Sequence, residues 1–220
     1  MIPYIEGLSA ANWQKSSRTA RHQSLVQLEH ALAAQENREP CLVELDPAGD
    51  SPYDGRYDPE TKTIHITEDY VKNNTPYQAV HTLLEESRHA YQHDAVLKND
   101  SSRAENEEQF NDWKMAYTGG KLSGKPDLEK WQPVEVDARK SANQGVVEMY
   151  GESSDGVKEI FDLQQDTYRD ESGELQERAR QAVAETYAAK QIAPAMLGLG
   201  NDTVEPSLKE GYDHDQSYGF

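Results

Sequence analysis

The sequence has few of the residues that several large classes of protein need. It contains a single cysteine, Cys41, so no intramolecular disulfide can form and the fold must rest on a hydrophobic core or a metal ion. It has no run of about 18 apolar residues, as a membrane-spanning helix requires, and its first residues lack the order of a secretory signal. We therefore expect a cytoplasmic protein, or one delivered by a route without a cleavable signal peptide.

Basic residues are also scarce, with 22 Lys and Arg against 40 Asp and Glu and a formal charge of −18. Binding to nucleic acid or to an anionic membrane depends on clustered Lys and Arg, so we expect neither partner. A basic protein partner fits the charge better. Apolar residues make up only 35% of the 220 residues, but the aromatic residues fall in periodic segments, as a folded domain requires.

Hydrophobic spacing predicts a helix-dominated α+β fold in which a small sheet packs on helices. Turn and capping residues set the boundaries, such as Thr75, Pro76 and Gln78 at the start of one long helix. Ser102 and Glu105 suggest another capping box. The predicted elements are a helix over 9–37, a strand at 41–45, a hairpin over 55–67, and helices over 75–98, 102–120, 133–150, 157–168 and 175–191.

The length suits one domain of moderate size. We expect an N-terminal helical segment over 1–39 and a central segment over 40–150 that carries the chemistry. C-terminal helices over 151–193 should pack on the central segment. The remaining residues, 194–220, are rich in Gly, Asp and Ser and predict an acidic flexible tail.

One helical stretch, residues 80–96, concentrates groups that bind metals and move protons. At about 100° per residue, Glu85 and His89 lie one turn apart on the same face, with Glu86 beside them. This spacing lets two side chains reach one ion. A charged helix face is most often simply solvated, so composition alone does not distinguish a site from a surface.

These residues resemble the metal-binding helix of the zincin metallopeptidases. Residues 85–92, Glu-Glu-Ser-Arg-His-Ala-Tyr-Gln, resemble the motif His-Glu-x-x-His in the variety that continues His-Ala-Tyr-Gln, with Glu85 where the first His stands. Residues 132–139, Gln-Pro-Val-Glu-Val-Asp-Ala-Arg, resemble the second element, which supplies a Glu ligand in gluzincin-like proteins. The resemblance covers roughly residues 40–145. Such domains occur among small bacterial metallopeptidases and toxin or effector domains.

The resemblance implies one divalent metal ion, zinc first, with manganese or iron as alternatives. His89 and Glu135 would be ligands, Glu85 would occupy the remaining ligand position, and Glu86 would be the general base. A carboxylate in place of His makes the ion a poorer Lewis acid and favours harder metals.

Five further residues would support the ligands or contact substrate: Arg88, Gln92, Asp137, His81 and His93. Asp137 in particular would orient His89, or else only favour the N-terminus of its helix. His81 lies one turn before Glu85, and His93 lies one turn after His89. Each is either a substitute for the missing ligand or a partly exposed helix residue.

The expected function is therefore metal-dependent hydrolysis, most simply of peptide bonds, and two alternatives remain open. In the first, the scaffold is catalytically degenerate, binds a protein partner, and holds Arg88 and the carboxylates in a buried ion-pair network. In the second, Glu86-x-x-His89 belongs to a carboxylate-bridged di-iron site, with Glu135 or the Glu107/Glu108 pair as further ligands.

Overall fold

Helices dominate the protein, as the sequence predicts. The computed structural model describes residues 2–47, 49, 53–122, 126–167 and 173–196. These residues form nine α-helices and one three-stranded sheet, in the order helices, sheet, helices, which confirms the α+β class. Within these ranges, no helix combines the length and the apolar character needed to cross a membrane.

The N-terminal segment forms two helices rather than the single helix predicted from Ser9 to Asn37. The first, α1, spans Ala10–Lys15, and the second, α2, spans Arg18–Gln35. Ser9 caps α1, and the side chain of Ser17 accepts a hydrogen bond from the backbone of α2. A serine that bonds to the backbone favours a helix start over a helix interior, which explains why the chain breaks before α2.

The sheet contains β1 (Leu42–Asp46), β2 (Gly55–Asp58) and β3 (Thr63–Thr67), in the spatial order β1-β3-β2. β2 and β3 form the predicted antiparallel hairpin, and β1 pairs with β3 in parallel. The middle strand is the most buried, because Ile64 and Ile66 both point into the hydrophobic core. The sheet therefore has one face anchored on the helices.

A short helix, α3 (Glu68–Asn73), leads from the sheet to α4 (Pro76–Leu97). The predicted capping box is present at the start of α4, with Thr75 as the cap. α4 is buried on two sides. Its apolar side chains enter the main core, and Glu86, His89 and Gln92 are also buried on its polar side. The polar side is therefore an internal surface and not a solvated one.

Five helices follow α4 in the described part of the chain: α5 (Glu107–Met115), α6 (Pro126–Glu129), α7 (Pro133–Tyr150), α8 (Asp155–Thr167) and α9 (Gly173–Met196). The predicted start of α7 at Pro133 and its end at Gly151 are confirmed; Gly151 has a φ of 81°, which glycine adopts without strain.

Two predicted boundaries in this region are wrong. The capping box at Ser102 and Glu105 is absent; Asn106 caps α5 instead, accepting a hydrogen bond from the backbone of its third residue. Ser102 lies in a short 3-10 turn. α9 continues past Pro194, where the tail was predicted to begin. The rest of the predicted acidic tail, residues 197–220, lies outside the described residues.

α4 is the centre of the fold and packs against α7, α2, α8 and the sheet. The main core takes side chains from the N-terminal segment, the sheet, α4, α7 and α8. The segments on either side of residues 40–150 therefore pack on that central part.

A buried ion pair ties α2 to the back of α4. Nη1 and Nη2 of Arg38 lie 2.7 and 3.1 Å from the two carboxylate oxygens of Glu29, and Nη2 also donates to Oγ of Ser87 at 2.6 Å. The backbone N–H of Cys41 donates to Glu29. Burial raises the pKa of the Cys41 thiol to about 12, so this cysteine is structural rather than nucleophilic.

Candidate functional site

His89 and Glu135, two of the predicted ligands, meet between α4 and α7. Nε2 of His89 lies 3.1 Å from Oε2 of Glu135, although the residues are 46 positions apart in the sequence. Pro133 begins α7 and places Glu135 in the first turn, where a helix N-terminus favours negative charge. We call His89 and Glu135 the charged pair.

Each member of the charged pair stabilises the ionised form of the other. Burial alone would lower the pKa of His89 and raise that of Glu135, but the opposite charge and the hydrogen bond outweigh burial in both cases. The pKa of His89 is raised to about 9, and that of Glu135 is lowered to about 2. Lys121 contributes to the lowering, since its Nζ lies 3.7 Å from Oε1 of Glu135.

Hydrogen bonds through Gln92 fix the ring of His89. Oε1 of Gln92 lies 3.1 Å from Nδ1 of His89, and Nε2 of Gln92 donates to Asp137 at 2.7 Å and to the carbonyl of Val134 at 3.1 Å. Because the amide nitrogen has two acceptors, the amide oxygen faces the ring and Nδ1 must carry a proton. Nε2 is the ring nitrogen that remains for Glu135 or for a metal ion.

Asp137 was predicted either to orient His89 or only to favour the N-terminus of its helix. In the structure it acts on His89 through Gln92. It accepts hydrogen bonds from Gln92, from Nε2 of Gln109 at 3.0 Å and from Nε of Arg88 at 3.0 Å. The guanidinium of Arg88 also lies over two aromatic rings of α4 and α5, at 4.8 and 5.2 Å. Arg88 therefore holds Asp137 and the neighbouring helices in place.

Tyr117, Gln109 and Lys121 belong to the site, and sequence reasoning missed them as site residues. The hydroxyl of Tyr117 lies 3.0 Å from the carbonyl of His89 and 3.1 Å from the amide oxygen that faces the His89 ring. Helical spacing puts Tyr117 on the face of Phe110 and Trp113, and Tyr117 does pack on that apolar cluster. It lies in a π-helical turn, Ala116–Gly120, that follows α5, and periodicity does not show that its hydroxyl reaches His89.

Glu86, the predicted general base, lines a cleft of about 460 Å³ between the start of β2 and helices α3, α4, α7 and α8. Its side chain is 9% exposed. Burial raises its pKa to about 7, and His89 limits the rise. No residue in the described part of the chain donates a hydrogen bond to its carboxylate. The carboxylate is therefore available to a water molecule or a substrate in the cleft.

Glu85 lines the same cleft as Glu86. The charged pair does not line this cleft. Its Oε2 lies 3.9 Å from Nδ1 of His81. His81 is buried, and its Nε2 lies 2.9 Å from both the amide oxygen of Asn143 and the amide nitrogen of Gln164. The interpretation of His81 as a partly exposed residue is therefore wrong, because α7 and α8 cover it.

His93 lies apart from the charged pair. Its Nδ1 is 3.0 Å from the hydroxyl of Tyr57, and its ring stacks on Tyr117 with 5.1 Å between centroids. Burial lowers the pKa of His93, so it is neutral at physiological pH. Its contacts support the packing around the site.

No family model, curated protein or solved structure matches the chain. The resemblance to zincins therefore rests on the two sequence elements and stays a prediction.

The charged pair fits a metal ion as two of its ligands. Two ligands of a tetrahedral zinc ion stand about 3.3 Å apart, close to the distance between Nε2 of His89 and Oε2 of Glu135. A third ligand is not in place: among the described residues, no three His, Cys, Asp or Glu side chains are grouped closely enough to hold an ion. Glu85 would have to turn away from the cleft to complete the set.

The residues named for the di-iron alternative have other surroundings. Nη1 of Arg180 lies 2.9 Å from Glu108, and Glu107 is exposed to solvent. Neither carboxylate joins the charged pair in a group of three within the described residues. The geometry therefore gives this alternative no support.

Proposed function

We propose that the protein is a metal-dependent hydrolase that uses Glu86 as its general base. The observation that carries the proposal is the position of the Glu86 carboxylate. It is nine-tenths buried, has no hydrogen-bond donor among the described residues, lines the cleft, and lies within electrostatic reach of the charged pair. A buried carboxylate in this position is suited to hold and deprotonate a water molecule.

The charged pair would hold a divalent ion, zinc first, with manganese or iron as alternatives. When bound, the ion would supply a Lewis acid that polarises a carbonyl group and acidifies water. Glu86 would accept a proton from the attacking water and deliver it to the leaving group. Gln92 would keep Nε2 of His89 directed at the ion, because it holds the other ring nitrogen. A peptide bond is the substrate that the resemblance implies.

The proposal predicts weak metal binding by the natural chain. The charged pair supplies two protein ligands, and the ion must displace the proton that His89 shares with Glu135. Replacing Glu85 by His would restore the His-Glu-x-x-His pattern and supply a third ligand. Glu85→Gln is the matched control, because it also removes the charge but supplies no imidazole.

The test is zinc titration of the wild type and both variants, with peptide cleavage measured in parallel. Glu85→His should bind about one equivalent of zinc at least tenfold more tightly than Glu85→Gln. Glu86→Gln should bind the ion as the wild type does and lose cleavage. If neither the wild type nor Glu85→His binds zinc, manganese or iron, the hydrolase proposal fails.

A second candidate is a protein-binding module built on a catalytically degenerate scaffold. One observation favours it: the charged pair is already neutralised by its own contact, with no third ligand in place among the described residues. Such a module would bind its partner equally well in a chelator and in the Glu86→Gln variant. Loss of function on either treatment would favour the hydrolase.

A further inference from the structure

Asp54, immediately before β2, shares the cleft with Tyr70 of α3 and Glu85 of α4. Burial raises the pKa of Tyr70, and the charges of Asp54 and Glu85 raise it further. Gly55 allows this arrangement, because a Cβ at Gly55 would clash with Cγ2 of Thr82, and the start of β2 therefore lies directly against α4.

Three carboxylates, those of Asp54, Glu85 and Glu86, line the cleft, against one Lys or Arg side chain of the described residues. Arg139 lines the cleft, but it is buried, donates to the carbonyl of Lys130, and lowers the pKa of Glu135. Glu86 provides an independent sign that the cleft takes a polar ligand. Its nine-tenths buried carboxylate reaches the cleft without a donor among the described residues, and such a group normally has a partner.

An apolar surface borders these carboxylates. Tyr53 and Leu163 line the cleft and are 57% and 53% exposed, which places them among the most exposed large apolar side chains of the described residues. Exposed apolar side chains beside a cleft indicate contact with a ligand. The cleft thus combines carboxylates with an apolar border.

We propose that the cleft selects substrates by a Lys or Arg side chain, which Asp54 and Glu85 bind, next to an apolar residue that contacts Tyr53 and Leu163. The aliphatic part of a Lys or Arg side chain packs on aromatic rings while its charge meets carboxylates. This inference rests on the proposed function, since it names the substrate of that site. In this arrangement Glu85 recognises substrate and is not a metal ligand.

The test measures binding of fluorescein-labelled peptides of the form Ala-Leu-X-Ala, with X as Lys, Arg, norleucine or Glu. Fluorescence anisotropy is recorded with the full chain in a chelator, so that neither metal nor cleavage is needed. The Lys and Arg peptides should bind about 10- to 100-fold more tightly than the norleucine peptide, the range of a charge-assisted hydrogen bond. The Glu peptide should bind least.

Four variants locate the preference. Asp54→Asn and Glu85→Gln should each reduce the advantage of Lys over norleucine, and the double variant should abolish it. Glu107→Gln removes an exposed carboxylate that does not line the cleft, and it should keep the full advantage. Equal binding of the Lys and norleucine peptides to the wild type, or an equal loss in Glu107→Gln, would overturn the inference.

Cleavage of the same peptides with zinc separates this inference from the proposed function. A preference for Lys or Arg in binding, without cleavage of any peptide, overturns the hydrolase and supports the recognition site. Cleavage without that preference supports the hydrolase and overturns the recognition site. Glu85→His should bind zinc more tightly than the wild type and show a reduced preference for Lys.

Discussion

Without metal, the protein should become less stable as pH rises from 5 to 9, and the charged pair is one cause. Burial lowers the pKa of His89, but the charge of Glu135 raises it by more, from 6.5 to about 9. The folded protein therefore holds this proton more tightly than the unfolded chain does. The stabilisation is complete below pH 6.5 and is lost as pH rises through about 9.

Glu86 acts in the same direction over a lower pH range. Burial raises its pKa from 4.5 to about 7, so ionisation of Glu86 destabilises the fold as pH rises through that interval. Each of the two pKa changes corresponds to about 3 kcal/mol of unfolding free energy. Together they lower the unfolding free energy by about 5 kcal/mol between pH 5 and 9. The lowered pKa of Glu135 arises mainly from the same contact with His89, so its free energy is not added to this total. The stabilisation that the lowered pKa represents is lost only as pH falls from 4.5 through about 2.

The assay is urea unfolding in a chelator at pH 5, 7 and 9, followed by the fluorescence of three buried Trp residues. Glu135→Gln is the matched control: it removes the charge that raises the pKa of His89. In this variant the fall in unfolding free energy between pH 7 and 9 should vanish. The fall that Glu86 causes at lower pH should remain. Zinc should stabilise the wild type more at pH 8 than at pH 6, because it binds the deprotonated ring. Constant or rising stability of the metal-free wild type from pH 5 to 9 would refute the reasoning.

Three further substitutions test the hydrogen bond to the His89 ring, the buried ion pair behind α4 and the close approach of β2 to α4. Gln92→Leu should lower zinc affinity by about 10- to 100-fold in calorimetry with little change in helix content, because the amide no longer holds the His89 ring. Glu29→Gln should cost about 1–3 kcal/mol in urea unfolding, since it removes one of the two carboxylates that pair with the buried Arg38 and leaves Glu36; Glu29→Gln with Arg38→Met should recover part of that loss. Gly55→Ala should cost about 1–3 kcal/mol, and Thr82→Ser in the same chain should restore most of it by removing the clashing methyl group.

Three results would contradict these expectations. Unchanged zinc affinity in Gln92→Leu would show that the amide does not orient the ring. A loss below about 1 kcal/mol in Glu29→Gln would show that the buried ion pair relaxes without cost. A Gly55→Ala variant as stable as the wild type would show that β2 can move away from α4.

The fold was predictable where one local signal fixes each boundary. Thr75 starts α4, and Pro133 and Gly151 bound α7, because a cap, a proline or a glycine with positive φ acts within one turn. The errors lie where two caps compete. Ser102 and Asn106 both suit the start of α5, and only the packing of the helix decides between them.

The contact of His89 with Glu135 was predictable from the sequence, but the arrangement of the residues around it was not. Periodicity places Glu85 and His89 on one helix face, and the second element brings Glu135 to His89. Periodicity does not give the rotamer of Glu85, which depends on the contacts available in the cleft. The position of Tyr117 depends on a π-helical turn, and the role of Gln92 depends on how α4 meets α7.

The separation of 46 residues within the charged pair makes the imidazole an internal reporter of folding. Burial lowers the pKa of His89, whereas the charge of Glu135 on α7 raises it most and Glu86 on α4 itself adds less. At about pH 7.5 the ring is protonated when the two helices are docked and neutral when they are apart. The NMR chemical shift of this ring would therefore distinguish an intermediate in which α4 has formed but α7 has not yet docked from the native protein.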